Sequence, residues 1–139
     1  MSANPKHIGP GYWANWHTTS LKAKDSSTKA LVAKNIVFAI DNFPCQECKK
    51  DFIKYIKANS LKAAVESKDP LSMFKWTVNS HNYVNQKIGK TIIHWTEAKD
   101  AWEGKQGLCF ENCGLSEDEI KKDEIKKDDE IIEIVIKSY

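Results

Sequence analysis

The sequence contains no long apolar run and has almost no net charge. None of its 139 residues form a segment approaching the roughly 18 consecutive apolar residues needed to span a bilayer. The first residues, 1–7, lack the apolar core of a signal peptide. The formal net charge of +2 gives no reason to expect a nucleic-acid partner. We therefore expect a cytoplasmic protein with neither a membrane nor a nucleic-acid partner.

Cysteine is also scarce, with 4 residues arranged as two close pairs, Cys45 with Cys48 and Cys109 with Cys113. In a reducing compartment such cysteines indicate catalysis or metal binding rather than a structural framework. A zinc site would use all four, but the pairs lie farther apart than in usual zinc ribbons. A thioredoxin-like centre would need a strand before the first pair, where the pattern is helical. A helical thiol oxidase is the third reading, and it requires a cofactor site.

Apolar residues at helical spacing predict an all-α protein, a small helical bundle. We expect a loop around residues 9–11 that leads into a first helix. Further helices are expected at about 28–43 and from Cys45 to about 58. A fourth is opened by Pro70, with Asp69 as N-cap, and a short fifth runs from Thr96, its N-cap, to Trp102.

The composition divides the chain into three parts. Residues 1–105 are expected to form the cofactor-binding domain, and 106–115 a flexible segment in which glycines surround Cys109 and Cys113. Residues 116–139 are a charged, low-complexity arm in which Glu-Ile-Lys-Lys-Asp occurs twice in succession. A five-residue period fits neither a helix face nor a heptad, so this arm is expected to lie outside the bundle.

The pair Cys45 and Cys48 stands where the third helix begins. Pro44 suits the start of a helix. The free backbone N–H groups and the positive end of the helix dipole there favour a thiolate over a thiol. Two cysteines separated by two residues can close a small, reducible disulfide, which is typical of a redox centre.

Aromatic and hydrogen-bonding side chains flank this helix in the sequence. Alone, such residues more often belong to a core than to a cofactor site. Asn82 and Asn85 favour a site, because two amides on one helix with His81 are costly to bury without partners. Lys87 and Lys90 could reach a pyrophosphate, although lysines at a helix end are equally well explained as solvated partners of the dipole.

In their order and spacing these residues resemble the Erv/ALR family of FAD-linked sulfhydryl oxidases, from about Gly9 to Trp102. The matching pieces are Gly9-Pro10-Gly11-Tyr12-Trp13-x-x-x-His17, Pro44-Cys45-Gln46-Glu47-Cys48, Trp76-x-x-x-x-His81-Asn82-x-Val84-Asn85-x-Lys87-x-Gly89-Lys90, and Trp102. The resemblance implies a four-helix bundle with a short fifth helix, bound FAD and a homodimer. The chain also resembles the compact members of large cytoplasmic DNA viruses, which implies a place of action in the cytosol, the virus factory or the virion.

The resemblance also implies residue roles. Cys48 would lie next to the flavin, Cys45 would exchange with incoming thiols, and Cys109 with Cys113 would be a shuttle pair, or else a structural or inter-protomer disulfide. Electrons would pass from protein thiols, or from a small thioredoxin-like carrier, through FAD to O₂ and give H₂O₂. The cofactor-binding residues would be Gly9, Tyr12, Trp13, His17, Trp76, His81, Asn82, Val84, Asn85, Lys87, Lys90 and Trp102.

Two points stay open at this stage. Many family members carry a disulfide at the positions of Val78 and Trp95, and we hypothesise that an apolar contact replaces it. The competing function is a zinc-bound or purely helical interaction module without catalysis.

Overall fold

A computed structural model describes residues 4–104. These residues form six helices and no strand, which confirms the all-α prediction. Within them, no helix is long and apolar enough to cross a membrane. The predicted segments 106–115 and 116–139, with Cys109 and Cys113, lie outside the described residues. The helices are α1 (Pro5–Lys22), α2 (Ser26–Asp41), α3 (Gln46–Ala58), α4 (Leu61–Glu66), α5 (Ser72–Lys87) and α6 (Trp95–Trp102).

Helix α1 begins earlier than the sequence suggested. The side chain of Asn4 accepts a hydrogen bond from the Lys6 N–H, and Pro5 occupies the first turn, where its missing N–H costs nothing. Residues 9–11 therefore lie inside the helix, and the prediction of a loop there was wrong. Pro10 lies inside the helix, where it removes the hydrogen bond that an N–H at this position would donate to the Lys6 carbonyl.

The starts of α3, α5 and α6 depend on local side-chain contacts. Cys45 is the N-cap of α3, as expected. Asp69 accepts from the Leu71 N–H in the turn before α5, so it is not the cap of that helix, which begins two residues after Pro70. Helix α6 begins at Trp95 with His94 Nδ1 accepting from the Thr96 N–H, so the prediction of Thr96 as N-cap was wrong.

The core has two parts. The larger packs α1, α2, α3 and α5 together around Trp16, Ile36, Phe52, Met73 and Trp76. The smaller joins the ends of α1 and α5 to α6 and contains Leu21, Phe74, Val78 and Ala98, with Trp95 and Trp102 packed against it. Val78 and Trp95 thus belong to one apolar cluster, which supports the hypothesis that packing holds α6 to α5 there.

A buried lysine connects α2 by hydrogen bonds to the segment between α4 and α5. Lys29 is only 1% exposed. Its Nζ donates to the backbone carbonyls of Ser67 at 2.8 Å and Asp69 at 2.7 Å. The ammonium replaces its lost hydration with these bonds, and it supplies a donor to the Ser67 carbonyl and a second donor, beside the Ser72 N–H, to the Asp69 carbonyl.

Replacing Lys29 with methionine should therefore destabilise the fold. Methionine fills similar space but leaves the Ser67 carbonyl without its donor and the Asp69 carbonyl with only the Ser72 N–H, so we expect the free energy of unfolding in urea to fall by about 2 kcal/mol. The exposed Lys24→Met is the matched control and should change it by less than about 0.5 kcal/mol. A Lys29→Met protein as stable as the parent would show that the two bonds contribute nothing net.

Candidate functional site

The two cysteines at the start of α3 form a disulfide. Their Cα atoms are 5.3 Å apart. Cys45 is the N-cap residue, and the Cys48 backbone N–H donates to Cys45 Sγ at 3.3 Å. A reduced Cys45 would therefore have an amide donor and the positive end of a helix directed at its sulfur. Cys45 is half-buried and Cys48 is exposed, so neither residue is fully shielded from solvent.

An apolar cleft of about 130 Å³ borders this disulfide on one side only. Cys48 lines it and Cys45 does not, so the cleft distinguishes the two cysteines. Helix α1, the turn before α3, and helices α3 and α5 all contribute to its walls. Among the lining residues are the predicted Gly9, Tyr12, Trp13 and Val84, together with Phe43, Lys49 and Phe52.

A second group of aromatic rings lies where α1, α5 and α6 meet. The ring of Trp13 stacks on that of His81, with centroids 4.3 Å apart and planes 6° apart. His17 lies beside both, and its ring centroid is 5.3 Å from that of Trp102. We call Trp13, His17, His81 and Trp102 the aromatic cluster. The structure thus brings four predicted site residues together, and Trp13 belongs to both the cluster and the cleft.

The two histidines of the aromatic cluster are hydrogen-bonded and uncharged at neutral pH. His17 Nε2 is 2.8 Å from His81 Nδ1. Burial first, and the neighbouring His81 second, lower the pKa of His17 from 6.5 to about 3. Burial likewise lowers the pKa of His81 to about 4, with the positive charge of Lys90 as the second cause. The cluster therefore offers neutral, flat rings with hydrogen-bonding nitrogens.

Two other predicted residues have structural partners. Trp76 is buried in the larger core, and its indole N–H donates to the Asn59 carbonyl at 2.9 Å. Asn82 pairs with the backbone of Ile93: its Nδ2 donates to the carbonyl at 2.7 Å, and its Oδ1 accepts from the N–H at 3.2 Å. Asn82 thereby fixes the segment that connects α5 to α6.

The predicted residues at the end of α5 lie near the surface. Lys87 forms an ion pair with Asp51 of α3 and lies over the ring of Tyr83. The hydrogen bond from Lys87 to Asp51 lowers the pKa of Asp51 and raises that of Lys87. The Asn85 carbonyl accepts from the Lys90 N–H at 2.8 Å, and the chain turns at Gly89, whose φ of 74° favours glycine. Lys90 is exposed.

Sequence reasoning missed several residues of the site. Phe43 and Phe52 line the cleft beside Cys48. Lys49 does so too, while its Nζ donates to the carbonyl and Oδ1 of Asp41. Thr77 lies under His17 at 3.1 Å. Two signals were available, because Phe52 follows Cys48 by four residues and Thr77 precedes His81 by four, which places each pair on one helix face.

Residues 4–104 contain no group of three or more His, Cys, Asp or Glu side chains placed to hold a metal ion. A zinc site completed by Cys109 and Cys113 would involve residues outside that range.

The chain is similar in sequence to known proteins of one family. The Erv1 / Alr family profile matches residues 10–103. A protein of African swine fever virus named "FAD-linked sulfhydryl oxidase" is 29% identical over 100 residues, which cover 70% of this chain and 81% of the viral protein. A rice protein named "FAD-linked sulfhydryl oxidase ERV1" is 26% identical over 113 residues, or 79% of this chain and 56% of its own. The yeast "Mitochondrial FAD-linked sulfhydryl oxidase ERV1" is 38% identical over 65 residues, 44% of this chain and 32% of the yeast protein.

Proposed function

The chain belongs to the Erv1 / Alr family and is an FAD-dependent thiol oxidase that forms disulfide bonds in proteins, and we propose that the disulfide Cys45–Cys48 is its redox centre. The observation that carries this proposal is that the disulfide borders the apolar cleft through Cys48, at the start of a helix that favours a thiolate on Cys45.

The described residues suit FAD in their chemistry. The cleft beside Cys48 has flat aromatic and apolar walls, which match an isoalloxazine ring. The aromatic cluster offers ring faces and neutral imidazole nitrogens for the other aromatic part of the cofactor. Lys90 is the exposed cation near His81 and is available to a phosphate. When bound, FAD supplies the acceptor for the two electrons that the cysteine pair collects.

The cysteine pair collects those electrons by thiol–disulfide exchange. A substrate thiolate attacks Cys45 Sγ, the Cys45–Cys48 bond breaks, and Cys48 leaves as a thiolate. A second substrate thiol then attacks the mixed disulfide. It releases the substrate disulfide and leaves Cys45 as a thiolate that the Cys48 N–H stabilises. Two substrate thiols thus lose two electrons and two protons, and the pair gains both electrons.

We assign the other steps of the pathway on chemical grounds. O₂ is the proposed final acceptor, giving H₂O₂. Cys109 and Cys113 are the proposed shuttle between Cys45 and protein substrates or a small thioredoxin-like carrier. The match to 81% of the viral protein supports a compact viral type of enzyme. We propose that it acts in the cytoplasm.

Oxidation of a reduced, unfolded model protein tests the proposed reaction. We expect its free thiols to disappear with about one O₂ consumed and one H₂O₂ formed per disulfide. A double replacement of Cys109 and Cys113 with alanine should slow this reaction while oxidation of a small dithiol continues. Thiols that persist beside the flavin-loaded protein would contradict the proposal.

We also propose a homodimer, supported by an exposed apolar face of α2. Leu31 and Phe38, seven residues apart, share that face and are 41% and 71% exposed, and Val37 beside them is 50% exposed.

Phe38→Glu is expected to shift the protein from dimer to monomer in sedimentation equilibrium, because a charge would have to be buried between the copies. Lys57→Glu on α3 serves as the control and should leave the dimer intact. A monomeric parent protein would refute the dimer.

A further inference from the structure

A chain of hydrogen bonds leads from the aromatic cluster into the protein interior. His81 Nδ1 lies 2.8 Å from His17 Nε2, and His17 Nδ1 lies 3.1 Å from the hydroxyl oxygen of Thr77. That hydroxyl lies 2.8 Å from the Phe74 carbonyl. Thr77 and Ser20 are fully buried, and His17 is 2% exposed. The inner end of the chain is therefore shielded from water, and its protons have few alternative positions.

The distances favour one direction for these bonds. The single hydroxyl proton of Thr77 can go to the Phe74 carbonyl at 2.8 Å or to His17 Nδ1 at 3.1 Å, and the shorter contact is to the carbonyl, which can only accept. With Thr77 donating to Phe74, it accepts from His17. Neutral His17 then carries its proton on Nδ1 and accepts at Nε2 from the Nδ1–H of His81. Neutral His81 consequently has no proton on Nε2.

The hydroxyl of Ser20 is compatible with this order. It lies 3.1 Å from Thr77 Oγ1 and 3.2 Å from the His17 carbonyl. Because the Thr77 proton is already directed at Phe74, the Ser20 proton points to one of these two acceptors, and neither arrangement reverses the chain. Among residues 4–104, no buried side-chain nitrogen or oxygen lacks a partner. The low pKa values of both histidines agree with a chain of neutral groups.

We propose that Thr77 is a positioning residue that sets the tautomers of His17 and His81, so that His81 presents Nε2 as a hydrogen-bond acceptor toward the cofactor site. A ligand group that meets this nitrogen must be a donor, such as a hydroxyl or an amino group, and FAD carries both kinds. The identity of this ligand rests on the proposed function. The proposed tautomers themselves depend only on hydrogen bonds within the protein.

Nitrogen-15 NMR of the histidine rings in the flavin-loaded protein at pH 7 tests the proposal. We expect a protonated Nδ1 and an unprotonated Nε2 on both His17 and His81. Thr77→Val keeps the shape but removes the acceptor, so His17 should move its proton to Nε2 and His81 should follow. Thr77→Ser restores the acceptor and should restore the parent spectrum.

Cofactor affinity gives the second measurement. Thr77→Val should raise the Kd for FAD by about tenfold in a fluorescence titration. In this variant His81 Nε2 carries a proton, so it can no longer accept the hydrogen bond that the cofactor donates. Thr77→Ser should stay within about twofold of the parent. A protonated His81 Nε2 in the parent protein, or unchanged tautomers in Thr77→Val, would overturn the inference. The parent spectrum decides the matter even where Thr77→Val does not fold. A protein with the expected tautomers that binds no flavin would contradict the proposed function and leave this inference intact.

Discussion

Replacing either Cys45 or Cys48 with serine is expected to lower the rate of thiol oxidation by roughly 10³-fold or more, because neither variant can close the disulfide that collects the electrons. Steady-state O₂ consumption with a dithiol substrate measures this effect. Gln46→Ser is the matched control, since it changes an exposed residue between the two cysteines and leaves both sulfurs. Its rate should stay within about twofold of the parent.

The single variants should also differ from each other. In Cys48→Ser the remaining Cys45 thiol keeps the backbone N–H donor of residue 48 and the helix N-terminus, so its thiolate is favoured. In Cys45→Ser the remaining Cys48 lies beside the apolar cleft. We therefore expect Cys45 to react faster than Cys48 with a small disulfide reagent at pH 7. Faster reaction of Cys48 would reverse the assigned roles. Substantial turnover by either variant would contradict the disulfide as the redox centre.

Acidification below neutral pH is expected to destabilise the protein through the two buried histidines. The pKa values of His17 and His81 fall from 6.5 to about 3 and about 4 on folding. Between these pKa values and 6.5, the two histidines are protonated in the unfolded chain but neutral in the folded protein. The free energy of unfolding should therefore be constant above about pH 7 and decrease as pH falls from about 6.5 toward 4.5, by at most about 1.4 kcal/mol per pH unit for each histidine. His81 is half-buried, so its share should be smaller.

Glutamine variants separate the two contributions. Glutamine can hydrogen-bond but does not titrate, so His17→Gln should remove the larger part of the pH dependence and His17→Gln/His81→Gln nearly all of it. Urea unfolding between pH 4.5 and 7.5 provides the measurement, above the range where most carboxylates titrate. A His17→Gln protein with the parent's slope would show that burial of His17 does not control acid stability.

Much of the fold was predictable because local patterns determine it. The periodic apolar residues gave α2, α3 and α5 to within a few residues of their observed bounds. The start of α1 was not predictable from the glycines and proline at 9–11, because Asn4 and Pro5 initiate the helix before them. Helix α4 has only six residues. Such a short helix leaves almost no periodic signal, and it forms beside the backbone carbonyls held by Lys29.

The site was predictable where the position of a motif residue depends only on its own helix. Cys45 at a helix start needs only the local sequence, and Trp13 with His17 needs only their four-residue spacing. The partners of Asn82 and Lys87 could not be predicted. Ile93 lies on a later segment and Asp51 on another helix, and only packing brings them together. The role of Thr77 likewise depends on the contact between α1 and α5.

The absorbance spectrum of the purified protein tests the central claim most directly. We expect a yellow protein with a flavin band at about 450 nm and about one FAD per chain. The band should be bleached when a dithiol is added without O₂. Cys45→Ser should keep the band and lose the bleaching by substrate. A colourless protein that contains zinc and does not take up added FAD would contradict the account.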